Sequence, residues 1–240
     1  GLACPVGVVG HTGVAGLTLG GGMGRLQRRF GYTIDNLLSV DLVTADGEQL
    51  HVSETEHPDL FWGIRGAGPN FGIVTSFEFR LHEVGPDVVQ GMIAFPAARA
   101  HEVADRFREY LANAPDEESL SFAFATATEE QPFPPRLAGQ QVVLVGATHS
   151  GARADPRNVL QPLRDASPLF DTFEVRPYLE VQGLADEDMA WGKRFYMKGG
   201  FLAALSSGFV DVGLEQITAA PGDECWVGLW AQGGAIARVA

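Results

Sequence analysis

Apolar and polar positions alternate through "LLSVDLVTADGEQLHV" on both sides of Asp46-Gly47, a dipeptide that suits a two-residue hairpin turn. The pattern predicts antiparallel strands over Leu37 to Thr44 and Gln49 to Val52. In "HPDLFWGIRG", Pro58 takes a first-turn position beside Asp59, Leu60, Phe61 and Ile64 share a face, and Gly66 ends the segment. A short helix is expected there. Alternation returns in "GIVTSFEFRLHEV", where Phe77, Phe79 and Leu81 face one way and Ser76, Glu78 and Arg80 the other. That predicts a strand with one wet face.

After "VGPD" the texture shifts from glycine-rich to longer elements, which places a domain boundary near Pro86 and divides the chain into 1–86 and 87–240. Asp87 to Phe95 reads as a strand. Ala97 to Leu111 reads as a helix with Ala100, Val103, Ala104, Phe107 and Leu111 along one stripe. A strand at Leu120 to Thr126 precedes the proline-bearing loop "EEQPFPPRLAG", and the apolar run "QVVLVGAT" predicts a strand buried on both faces. In "DPRNVLQPLRDA", Asp155 caps a helix, Pro156 is its first residue, and Pro162 must bend or end it. Strands at Phe173 to Tyr178 and Trp226 to Gln232 flank a helix at Ser207 to Ala219, with Val210, Gly213, Leu214 and Ile217 on one side. The second region thus reads as a sheet with helices on one face.

The 240 residues are 45% hydrophobic and 20% charged, enough to bury a large core in one or two domains. A net charge of −13 argues against nucleic-acid and anionic-membrane partners, which need a basic face. No apolar stretch approaches the roughly 20 residues that span a bilayer. Cys4 and Cys225 are too few and too far apart for a disulfide framework, so a reducing compartment, the cytoplasm, is expected. The histidines lack ligand-like spacing and no metal site is expected. The chain opens inside a glycine-rich segment without an initiator methionine and stops just after an apolar run, so it is expected to be a piece of a longer polypeptide.

Eight of the eighteen residues from Gly7 to Gly24 are glycine, in "GVVGHTGVAGLTLGGGMG". A flexible loop with no ligand is one reading. A P-loop is excluded, because no lysine precedes Lys193. A Rossmann site needs a strand, a regular triplet of glycines opening a helix, and a second parallel strand; Gly20, Gly22 and Gly24 lead instead to a hairpin. What remains is a backbone that lets an anion approach between Gly10 and Gly16, with a short helical turn from Val14 to Leu19 behind it.

Three stretches in order, "GVAGLTLGGGMG", "DNLLSVDLVTADG" and "DLFWGIRGAGPNFGIVTSFEFRLH", resemble the FAD-binding domain of berberine-bridge-enzyme-like oxidases, members of the vanillyl-alcohol-oxidase flavoprotein superfamily. "RPYLEVQ", "FYMKGGFL" and "GGAIARV" resemble the same family's substrate domain, so the likeness runs over nearly the whole chain. It implies an α+β fold: the second half of a vanillyl-alcohol-oxidase-type FAD-binding domain over 1–86, then a substrate-binding domain over 87–240 whose antiparallel sheet is covered by helices. It also implies an upstream flavin-attaching loop and a downstream catalytic base outside these residues. On that ground the catalytic residues are unknown, and the chain alone is expected to be inactive.

By resemblance, Gly7, Val8, Val9, Gly10, Thr12, Gly13, Val14, Gly16 and Leu17, with Gly22, wrap the isoalloxazine and ribityl-diphosphate part of FAD. Gly72, Ile73 and Val74 approach the adenine end. Asn36 is expected to pin a loop and His11 to be structural. Where bicovalent members of the family carry a flavin-linked cysteine this chain has Val9, and Cys4 lies five residues too early, so at most one covalent link is expected. Thr12 aligns with a position said in the family to gate oxygen. Tyr178, Trp191, Tyr196 and Lys198 are candidates to line a substrate pocket, against the competing reading that the aromatics are core. The implied activity is transfer of a hydride from an alcohol, sugar or amine carbon to flavin N5, with molecular oxygen as acceptor. The competing reading of another class is a truncated, flavin-free fragment without catalysis.

Overall fold

The computed structural model describes residues 1–130, 132–151 and 155–239. Position 131 of the proline-bearing loop and position 240 lie outside the described residues. By its internal packing the chain divides into two units. The first comprises 1–87, 177–192 and 232–240; the second comprises 88–176 and 193–231.

In the first unit, strand β1 (Leu2–Ala3) precedes the short helices α1 (Val14–Leu19) and α2 (Gln27–Phe30). A three-stranded antiparallel sheet follows, with β2 (Leu37–Val43) between β3 (Gln49–Ser53) and β4 (Ile73–Phe79). Alternation puts Val40 and Leu42 of β2 in a core with Val52, with Leu19 of α1, and with Phe61 and Ile64 of helix α3 (Pro58–Ala67), and the irregularity in β2–β4 pairing between Leu37 and Ser39 brings Leu37 into it as well. Helix α3 starts at Pro58 and its regular geometry fails at Arg65 and at Gly66, where φ is +120°, as the position of Gly66 predicts. Strand β5 (His82–Glu83) pairs with β1.

Two local expectations need correction in this unit. The hairpin connection is longer than two residues: Thr44 donates to the Glu48 carbonyl at 2.9 Å and Gly47 to the Thr44 carbonyl at 3.0 Å, with Gly47 at φ +82°. The left-handed residue closes a three-residue loop instead of standing in a two-residue turn. Strand β4 ends at Phe79, and Leu81, expected on its apolar face, is exposed. The rings of Phe77 and Phe79 do stack, 5.9 Å apart.

The second unit is built on an antiparallel sheet of β6 (Asp87–Pro96), β7 (Glu118–Thr126), β8 (Gln141–His149), β9 (Phe170–Asp171), β10 (Glu174–Pro177) and β11 (Trp226–Trp230). Its order is β10-β6-β8-β7-β11, with β9 also on β6. One face carries Ile93, Phe95, Leu120, Phe122, Phe124, Val143 and Val145 in a single core. Helix α4 (Ala100–Leu111) supplies Val103, Ala104 and Phe107 to that core, and helix α7 (Ser207–Thr218) supplies Val210 and Ile217. Central β8 is buried on both faces because Ala94, Ala125 and Val142 form a smaller cluster on the other side, covered by Phe133, Leu169 and Phe170. The expected α+β arrangement, an antiparallel sheet with helices against one face, is what the unit shows.

Proline moves two boundaries. Pro162 lies in the first turn of helix α5 (Gln161–Arg164), so it opens a helix where it was expected to bend or end one, its missing N–H being among the four a helix start leaves unbonded. Asp155 accepts from the Arg157 N–H at 2.9 Å in a turn and caps no helix. Strand β10 stops at Pro177, and Tyr178 opens helix α6 (Tyr178–Gln182). That helix belongs to the first unit, as do 183–192 and 232–239, stretches the sequence pattern groups with the second region.

Phe122→Ala is expected to lower stability by about 3–5 kcal/mol through the cavity it leaves. Gly213→Val should cost about 1–3 kcal/mol, because a Cβ at Gly213 runs into the Phe124 ring. Urea unfolding of each variant, read against the unaltered chain, checks both. In the first unit, His82 Nε2 lies 2.5 Å from Asn36 Oδ1, and burial followed by the charges of Arg80 and Arg29 lowers the imidazole pKa below 6.5. A lowered histidine pKa means the unfolded chain binds the proton first. Stability should therefore be complete above about pH 6.5 and fall as pH drops through the lowered value, and urea midpoints for His82→Gln should lose that part of the dependence.

Candidate functional site

The glycine-rich stretch in the first unit consists of two parts with different physical reasons for glycine. At Gly22 and Gly24 the protein itself explains them. A Cβ at Gly22, where φ is +85°, runs into the Thr33 side chain, and a Cβ at Gly24 runs into the Val6 carbonyl. The Gly22 carbonyl accepts from the Thr33 N–H at 2.9 Å. Asn36 pins the neighbouring turn, donating from Nδ2 to the carbonyls of Phe30 at 3.0 Å and Tyr32 at 2.8 Å.

The earlier part differs. At Gly13 and Gly16 a Cβ would meet nothing within 4 Å, and both residues are exposed. The N–H groups of Val14, Ala15 and Gly16 open α1 and have no acceptor inside it. Among the described residues, the N–H groups of His11 and Gly13 also have no protein acceptor. Val14 is exposed, Leu17 packs its Cδ1 2.9 Å from where a Gly7 Cβ would lie, and Thr12 donates its N–H to the Val9 carbonyl at 3.2 Å. Val8 and Val9 are half-buried, and Thr12 is exposed.

Gly10 breaks the pattern. Its N–H is already engaged, donating to Asp186 Oδ1 at 2.5 Å, and a Cβ at Gly10 would stand 2.7 Å from Asp186 Oδ2. The space beside Gly10 is taken by the Asp186 carboxylate, which comes from 176 positions away and which no local motif could indicate.

Arg25 is a further residue that motif reasoning missed. Its Nε is buried without a hydrogen-bond partner among the described residues, and burial lowers the guanidinium pKa, an effect that a negative charge on the nearby Tyr178 oxygen opposes only where that phenol is ionised. The available signal was a lone charge inside "GGGMGRL". Arg25 follows Gly24, whose Cα packs on Val6, the residue that leads into the loop. Cys4 lies in the same region, and burial pushes its thiol pKa up to about 11, which keeps the sulfur protonated at neutral pH.

Gly72, Ile73 and Val74 lie elsewhere in the unit. Gly72 has φ +147° and packs against the Val43 carbonyl, while Ile73 and Val74 pair with Val43 and Leu42 at the β2–β4 edge. Ile73 is 71% exposed, an apolar side chain open to a ligand. Among the described residues, no hydrogen bond joins this edge to the glycine loop.

The four pocket candidates separate. Tyr178 and Trp191 belong to the first unit, Tyr196 and Lys198 to the second. The Tyr178 hydroxyl donates to Gln182 Oε1 at 3.1 Å, and burial pushes its pKa up to about 12. Trp191 is exposed, its ring 4.7 Å from that of His11. Lys198 Nζ lies 5.7 Å over the exposed Tyr196 ring. None of the three aromatics is core in the sense of a sheet interior. Among the described residues, no group of three or more His, Cys, Asp or Glu is placed to hold a metal, and no helix is long and apolar enough to cross a membrane.

Residues 1–53 match the family model of the FAD binding domain. An FAD-linked oxidoreductase of Dictyostelium discoideum is 32% identical over 238 residues, covering 98% of this chain and 50% of its own length. The crystal structure of 6-hydroxy-D-nicotine oxidase from Arthrobacter nicotinovorans matches 80% of this chain and 41% of that one, with TM-score 0.65 and 28% identity. The berberine-bridge-enzyme-like protein 1 of Physcomitrella patens shares the fold over all of this chain and 53% of its own, with TM-score 0.76 and 23% identity. The chain spans about half the length of the curated relative it matches throughout. With its glycine loop inside the matched domain, the chain is a relative of the FAD-linked oxidoreductases, whose cofactor is FAD, and it shares the fold of a berberine-bridge-enzyme-like protein.

Proposed function

We propose that the chain forms part of an FAD-dependent oxidase, in which the loop Gly7–Leu17 holds the isoalloxazine and ribityl-diphosphate part of the cofactor. The observation that carries the reading is the contrast among the glycines. Gly13 and Gly16 have open space where a Cβ would stand, beside N–H groups without acceptors among the described residues, whereas at Gly22 and Gly24 the protein fills that space. A bare backbone with spare donors fits a multiply charged, flat group. The unpartnered buried Nε of Arg25 fits an anion in the same way, since a cation taken out of water needs a compensating charge.

In this reading Val8, Val9, Thr12 and Val14 line the loop, Gly22 supports it, and Gly72, Ile73 and Val74 meet the adenine end, with Ile73 offering apolar contact. FAD supplies acceptance of a hydride from a carbon bearing oxygen or nitrogen. The chain's own residues bind and orient it. The substrate is a small alcohol, sugar or amine, and molecular oxygen is the acceptor of the electrons. The cytoplasm remains the compartment of this reading, on the ground of two unpaired cysteines in the whole chain.

The purified protein should show the visible absorption bands of bound flavin, or acquire them on titration with FAD. Gly16→Val should abolish that binding while leaving the far-UV circular dichroism unchanged, because the added side chain enters open space in the fold and intrudes only on the ligand. Normal flavin content in the variant would remove the loop from the cradle. Acid denaturation and digestion of the flavin-loaded protein should release no flavin-labelled peptide containing Cys4, since the protonated thiol is a poor nucleophile and Val9 has none.

A further inference from the structure

Helix α6 and the residues that follow it, 183–191, make three separate contacts with the loop from Gly7 to His11, all within the first unit. The Gln182 side-chain amide donates to the Gly7 carbonyl. The Asp186 carboxylate accepts the Gly10 N–H at 2.5 Å. The Trp191 ring stands 4.7 Å from that of His11 at 37°. These residues are themselves held. The Tyr178 N–H donates to the Pro86 carbonyl at 2.8 Å, the Tyr178 hydroxyl to Gln182 Oε1 at 3.1 Å, and the Asp186 N–H to the Gly183 carbonyl at 3.1 Å.

A glycine-rich loop loses more conformational freedom on ordering than any other backbone. If nothing held it beforehand, FAD binding would carry that whole loss; a loop already tied at positions 7, 10 and 11 carries less. We propose that Gln182 and Asp186 are positioning residues for the cofactor loop, a clamp that fixes Gly7 and Gly10 so that the open backbone at Gly13 and Gly16 is presented to FAD. The inference rests on the reading of Gly7–Leu17 as the FAD loop. Neither residue lies in a sequence motif of the loop it holds. Asp186 acts as an acceptor and not as a charge: the Gly10 N–H needs an oxygen, which an asparagine side chain also supplies.

The test compares the unaltered chain with Asp186→Ala, Asp186→Asn, Gln182→Ala and Gly16→Val, by amide hydrogen exchange of the 7–16 segment without cofactor and by titration with FAD. Asp186→Ala and Gln182→Ala should speed exchange in that segment and not in the β7–β8 core, and weaken FAD binding about tenfold. Asp186→Asn should restore both slow exchange and affinity. Unchanged exchange in Asp186→Ala and Gln182→Ala would overturn the clamp whatever FAD does. So would tighter FAD binding in both Asp186 variants, which would mean that the carboxylate competes with the cofactor for the Gly10 N–H. Faster exchange with unaltered FAD affinity, while Gly16→Val still abolishes binding, would overturn the clamp and leave the loop as the cradle. Unaltered affinity in Gly16→Val as well, or no FAD binding by the unaltered chain, would overturn the cradle and the clamp with it.

Discussion

The approach of the Val6 carbonyl to the Cα of Gly24 leaves no room for a side chain, and the arrangement of the first unit depends on it. It brings together the two ends of a stretch that would otherwise be flexible. Val6 leads into the loop, and Gly24 leads into α2, whose Arg28 donates to the Gln232 carbonyl at 2.7 Å. Close packing of Gly22 on Thr33 adds a second fixed point. Glycine serves here as absence of volume, and the conformational entropy lost in ordering it is offset by burying Leu26 and Leu19 alongside.

That division of labour separates structure from site. Gly22 and Gly24 are accounted for by the neighbours that fill the space beside them, whereas nothing among the described residues fills the space beside Gly13 and Gly16. The same logic applies to polar groups. Most buried donors find acceptors; among the described residues the Nε atoms of Arg25 and Arg65 and the N–H groups of His11 and Gly13 do not.

The second unit follows simpler rules. An antiparallel sheet with one large apolar face needs cover, and α4 and α7 provide it through Phe107, Val210 and Ile217. The buried Glu118 sits outside that apolar layer and is satisfied by Tyr110, whose hydroxyl donates to it at 2.6 Å, and by His149 Nδ1 at 3.2 Å. Burial and the Glu118 carboxylate together push the Tyr110 pKa up, so the hydroxyl stays a donor.

Local pattern determined much of this protein. Period-two alternation located β2, β3 and β4, the helical stripe from Ala100 to Phe107 located α4, and the order of three glycine-bearing motifs identified the flavoprotein family. Each of these signals is carried by residues near one another in the chain. Tertiary structure decided the rest. Pro162 opens a helix where local reading had it bend or end one, Tyr178 leaves its predicted strand for a helix in the other unit, and the Gly10 N–H is taken by Asp186. The reason is physical: periodicity reports which face of an element is buried, whereas the partner of a backbone N–H, or the atom that fills the space beside a glycine, can come from 176 residues away and leaves no trace in the local pattern.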